Sequence, residues 1–96
     1  MIIAQLSIVP LGKGTSVSSY VKQVLEILKK EQVRFQTNAM GTVIETKDLT
    51  TLFSVVQKAH TAVVKAGAQR VITELKIDDR HDKITTIESK LQSLKQ

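Results

Sequence analysis

The chain has 96 residues, of which 42% are apolar, no cysteine and a formal charge of +5. That length holds one domain with a modest core, for which self-association is a common way to add burial. The missing cysteines exclude disulfides, thiol catalysis and thiolate metal sites, and no apolar run approaches the roughly 18 residues of a membrane-spanning helix. The lysines are scattered rather than blocked, so the charge reads as a solvated surface and not as a nucleic-acid tail. The segment after Met1 alternates through Gln5 and Ser7 instead of forming a continuous secretory hydrophobic block, which leads us to expect a cytoplasmic protein.

From Ile2 to Val9 the sequence alternates with period two, predicting a strand with Ile2, Ala4, Leu6 and Ile8 on one side and Ile3, Gln5, Ser7 and Val9 on the other. Pro10-Leu11-Gly12-Lys13-Gly14 breaks it. Thr15 or Ser16 can then cap a helix whose apolar positions Val17, Tyr20, Val21, Val24, Leu25 and Leu28 recur at three and four, ending near Glu31. Val33–Thr37 and Thr42–Thr46 are β-rich runs around a short connection with Gly41, which predicts a hairpin. Asp48 is the expected N-cap of a second helix, with Leu49, Leu52, Phe53, Val56, Ala59, His60, Val63 and Val64 on one stripe and a stop at Gly67. Residues 70–78 alternate again, and a last amphipathic helix follows with Ile84, Ile87, Leu91 and Leu94 as its apolar line.

The order β-α-β-β-α-β plus a C-terminal helix predicts a single α+β domain over residues 1–96, a ferredoxin-like split βαβ fold with a four-stranded antiparallel sheet. Two helices cover one sheet face and leave the other open. That open face is expected to carry Ile3, Gln5, Ser7, Val9, Arg34, Gln36, Asn38, Val43, Glu45, Ile72, Glu74 and Lys76. Its apolar members call for cover from a second subunit or from the last helix.

An RNA-recognition module shares this strand order but stacks bases on aromatic residues of the two central strands. Here those strands offer Gln5, Ser7, Val43 and Glu45, and Tyr20, Phe35 and Phe53 are expected in the core, so no nucleic-acid partner is expected. Gly12-Lys13-Gly14-Thr15 resembles a phosphate loop, but the preceding glycine of the full motif is absent. An acylphosphatase-like enzyme needs an arginine in this first loop, which offers only Lys13. No catalytic residue, metal or cofactor is expected. Asp78-Asp79-Arg80-His81-Asp82 has ligand-type side chains but the character of an ordinary charged turn, in which Arg80 is expected to pair with Asp78 or Asp82 or to serve a subunit contact. His60 is expected to be half-buried and hydrogen-bonded.

The strand Ile3–Pro10 with its glycine-containing loop, the run Thr37-Asn38-Ala39-Met40-Gly41-Thr42-Val43-Ile44-Glu45, His60, and Gly67 through Arg70-Val71-Ile72-Thr73 to Lys76-Ile77-Asp78-Asp79-Arg80 together resemble the small thiamine-binding protein family, related to the YkoF proteins. The likeness covers nearly the whole chain; it departs at Thr46, where the family pattern often has glycine. The resemblance implies a ferredoxin-like fold, homodimers or homotetramers built through the sheets, and binding of thiamine or a related hydroxymethylpyrimidine. Glu45 or Glu74 would supply a counter-charge to a thiazolium, Asn38 or Gln5 would meet the pyrimidine edge, and Ser7, Thr37 or Thr42 would bond its amino group or the hydroxyl. Two plainer readings stand beside these: Glu45 as an ion pair with Lys76 or Arg34, and Asn38 as a turn residue. The expected function is non-enzymatic vitamin binding for buffering, delivery or sensing. The alternative is a structural or regulatory protein-interaction oligomer.

Overall fold

The computed structural model describes residues 1–14 and 17–95, so the cap expected at Thr15 or Ser16 lies outside the described residues. The elements follow in the expected order: β1 (Ile2–Pro10), α1 (Ser18–Lys30), β2 (Arg34–Thr37), β3 (Thr42–Thr46), α2 (Leu49–Lys65), β4 (Val71–Asp79) and α3 (Ile87–Gln92). The four strands make one antiparallel sheet in the order β2-β3-β1-β4. No helix among the described residues is long and apolar enough to cross a membrane.

Period-two alternation sets the layers. Ile2, Ala4, Leu6 and Ile8 of β1 and Ile44 of β3 are buried against Val24 and Leu28 of α1 and Leu52, Val55, Ala59 and Val63 of α2. Each large side chain removed from water here contributes roughly 2 kcal/mol. Tyr20 and Phe35 pack against this core from its margin, as expected.

The inner stripe of α2 differs from the expected one. Phe53 is not a core residue but is 51% exposed, Leu49 and Val64 are also exposed, and Val55, absent from the expected stripe, is buried. The helix is apolar on two overlapping stripes, and the inward one carries Ala59, whose small side chain permits close approach to the sheet. His60 lies beside that stripe, its Nδ1 2.6 Å from Thr73 Oγ1, so the half-buried ring is hydrogen-bonded to β4.

Local chemistry fixes the ends. Asp48 accepts the N–H of Thr51 at 2.8 Å and caps α2, and Gly67, at φ +112°, takes the left-handed conformation that turns the chain toward β4. In the β2–β3 connection Asn38 Oδ1 accepts the N–H groups of Met40 (2.8 Å) and Gly41 (3.0 Å). Gly41 runs so close to β1 that a Cβ there would meet Leu6 O at 3.1 Å.

The last helix is shorter than its apolar line implied. Ile87 is buried, but Ile84, Leu91 and Leu94 are exposed, so α3 does not seal the sheet as an ordinary amphipathic helix. Instead it is fastened to the open face largely by polar bonds.

Candidate functional site

The strand register brings the odd-numbered residues of β1 into rows across the open face: Ile3 beside Glu45 and Asp78, Gln5 beside Val43 and Lys76, Ser7 beside Glu74, and Val9 beside Ile72. Arg34 and Gln36 extend the first two rows onto β2. Over the Ile3 end lies the segment from Arg80 to Leu94. Thr86 caps α3 by accepting the N–H of Ser89, and Ser89 Oγ accepts the N–H of Thr86 in return. Glu45 Oε1 accepts the N–H of Ile87 at 2.8 Å, Arg34 pairs with Glu88, and Lys90 Nζ donates to Asp78 Oδ2 at 2.6 Å. Three strands therefore each hold α3 by one polar bond.

Between this segment and the sheet is a cavity of about 800 Å³. Its floor includes Ile3, Gln5, Gln36 and Val43, and its opposite wall Thr85, Ile87 and Leu91. Gln5 and Lys76 also border a neighbouring recess of about 280 Å³ completed by Ser7, Leu75 and Glu74. The mixture of apolar floor and convergent amides and hydroxyls suits a heteroaromatic ligand with several hydrogen-bonding edges.

Of the expected binding residues, Gln5, Ser7, Asn38 and Glu74 line these two spaces. Asn38 does so while its Oδ1 is engaged by its own turn. Thr37 and Thr42 pair with each other in the register and share the parity of Phe35 and Ile44, which puts them on the helix-covered face; Thr42 is buried there. Glu45 remains on the open face but lines neither space, because its carboxylate holds the start of α3. Its expected pairing with Arg34 or Lys76 is replaced: Arg34 instead bonds Glu88.

The sequence reading missed Gln36, Lys83 and Thr85 as lining residues. Parity already put Gln36 in line with Gln5 through Val43, whereas residues 80–86 are irregular and carry no period that aims a side chain. In that segment Arg80 makes a two-pronged pair with Asp82, Nε to Oδ1 at 2.8 Å, and His81 Nε2 lies 3.1 Å from Asp79 Oδ2. The hydrogen bond from Arg80 lowers the Asp82 pKa to about 2, and the bond from Lys90 likewise depresses that of Asp78. These side chains are committed to ion pairs, and no cluster placed to hold a metal occurs among the described residues.

A family model described as thiamine-binding protein matches residues 4–95 of the chain. This chain belongs to the thiamine-binding protein family. Curated members related to it carry no assigned activity in their names: a UPF0045 protein of Methanothermobacter thermautotrophicus is 47% identical over 97 residues, covering 100% of this chain and 98% of that protein. A UPF0045 protein of Bacillus subtilis is 44% identical over 99 residues, covering 98% and 94%. Among solved structures, a hypothetical protein of Methanocaldococcus jannaschii superposes with a TM-score of 0.90 at 47% identity, covering 97% of this chain and 94% of that one. A Thermotoga maritima protein with a provisional thiamine biosynthesis/salvage designation shares the fold, with a TM-score of 0.83, 17% identity and 98% coverage of both chains.

Proposed function

We propose that this protein binds thiamine or a related hydroxymethylpyrimidine without transforming it, in the cavity between the open sheet face and the Arg80–Leu94 segment. The observation that carries this reading is the placement of the Gln5 side chain at the junction of the two spaces, on an apolar floor, in a member of the thiamine-binding family. An aminopyrimidine offers alternating donors and acceptors on one edge, and the Gln5 and Gln36 amides present both kinds. Ser7 and Glu74 in the adjoining recess supply a hydroxyl and a carboxylate for the amino group or the thiazolium. Within this reading Glu45 serves the site by holding its roof. The protein acts as a cytoplasmic homodimer or homotetramer that buffers, delivers or senses the vitamin. Exposed Val9 and Ile72 on the same face, and exposed Ile84 and Leu94 at its rim, support self-association.

Calorimetric titration with thiamine and hydroxymethylpyrimidine tests the proposal. Wild-type protein is expected to bind at least one of them, and Gln5→Leu to bind it about tenfold more weakly, the effect of one lost hydrogen bond in a desolvated site. Absence of heat and of any thermal shift at about millimolar ligand, where even weak complexes register, would leave the protein-interaction oligomer as the better account.

A further inference from the structure

The cavity holds cationic groups that thiamine or a hydroxymethylpyrimidine alone leaves unanswered. Four cationic side chains line it, Lys76, Arg80, Lys83 and Lys90, against the single carboxylate of Asp78. Asp78 is taken up by Lys90 at 2.6 Å, and Arg80 by Asp82. Lys76 and Lys83 are left without a carboxylate partner among the described residues. A second observation is independent of the charge. Thr85, in the wall beside Lys83, is 3% exposed, and its Oγ1 has no hydrogen-bond partner among the described residues. Buried hydroxyls rarely go unsatisfied, and a ligand oxygen is one way to complete them.

Resting on the pyrimidine-binding reading above, we infer that the cavity prefers the phosphomonoester of its ligand, with Lys76 and Lys83 facing the phosphate and the Thr85 hydroxyl donating to it. The adjoining recess adds a carboxylate that the cavity's cationic side lacks: Glu74 stands beside Ser7 there, with Lys76 shared between the two spaces, and an amino group or a thiazolium is favoured next to Glu74. The two spaces meet at Gln5 and Lys76. A molecule with a cationic or amino-bearing ring at one end and a phosphate at the other matches this polarity, and its free alcohol leaves both lysines and the hydroxyl unanswered. A charged acceptor strengthens each hydrogen bond it receives, so the discrimination favours the ester.

The test is calorimetric titration of the full chain with two pairs, thiamine with thiamine monophosphate and hydroxymethylpyrimidine with its phosphate, with inorganic phosphate as control. At least one ester is expected to bind about tenfold or more tightly than its alcohol, with the advantage shrinking as salt is raised. Lys83→Ala is expected to bring the ratio close to one, because the ester loses far more affinity than the alcohol. Thr85→Val provides a signature that a merely structural role would not give: it reduces ester affinity yet keeps or raises the melting temperature of the free protein, because it removes an unsatisfied hydroxyl. Alcohols binding as tightly as their esters, or a ratio unchanged in both variants, overturns the inference and leaves the binding function standing. Inorganic phosphate binding as tightly as the esters also overturns it. Silence of all four organic ligands overturns the binding function itself.

Discussion

Glu45 connects two parts of the chain 42 residues apart, and its carboxylate takes a backbone N–H that the first turn of α3 would otherwise leave without an intrahelical partner. The alternation of Thr42–Thr46 was enough to place Glu45 on the open face. It could not reveal the partner, since a carboxylate reads the same in sequence whether it awaits a ligand, a lysine or an amide. Thr37 and Thr42 illustrate the converse: the period that put Gln36 and Val43 on the open face excludes both threonines from it. Residue chemistry suggested a role that residue parity denies. Glu45→Ala is expected to lower stability by about 1 kcal/mol, the net value of one such hydrogen bond. It should also speed exchange of the α3 amides, while amides of the β1–β4 ladder keep their protection by hydrogen–deuterium exchange. Equal loosening of both regions would show that Glu45 supports the sheet rather than the roof.

At the level of elements, α3 and α2 mark where periodicity stops being informative. Leu91 and Leu94 recur at helical spacing, but the six residues of α3 form less than two full turns, and a helix that short draws its stability from tertiary bonds rather than propensity. On α2 the expected stripe overlaps a second apolar one that includes Val55, and packing on the sheet buries the latter. One tie of α3, the bond between Lys90 and Asp78, depends on pH. Asp78, bonded to Lys90, has its folded pKa depressed below the ordinary carboxylate value of 3.8. A depressed folded pKa means the contribution is complete above the ordinary value and is lost as pH falls through the lower, folded one. Asp82, lowered to about 2 by Arg80, follows the same sign for the turn before α3. On acidification from neutral pH, α3 is therefore expected to stay docked at pH 5 and to detach only below about pH 4. Methyl NMR signals of Ile87 across a pH series would report it, and Asp78→Asn should loosen α3 already at pH 7.

For the molecule as a whole, order and type of elements were legible because strand and helix periods alternate cleanly along the chain and Gly67 and Asp48 punctuate them. The cavity was not, because its roof joins the irregular residues 80–86 to a short helix held by single bonds to three strands. Apolar side chains remain exposed on and around the open face, Val9 and Ile72 in one row and Ile84 and Leu94 at the rim. A stable pair of subunits buries about 800 Å² on each partner. If the open face supplies that area, Val9→Asp combined with Ile72→Asp should shift sedimentation of the protein toward the monomer without unfolding it. An unchanged sedimentation coefficient would show that the open face is not a subunit interface.

β1 runs through the middle of the sheet with Ile2, Ala4, Leu6 and Ile8 in the core and with Ile3, Gln5 and Ser7 beneath the cavity and its neighbouring recess. If the proposed binding holds, stability and ligand choice are written on the same strand as two interleaved scripts. A substitution scan along β1 should give a sawtooth: Leu6→Ala costs about 2 to 5 kcal/mol in denaturation, whereas Gln5 and Ser7 variants stay folded and change what is bound. On that proposal, relatives would be free to diverge in ligand by editing alternate letters of one strand, with the fold insulated from the experiment.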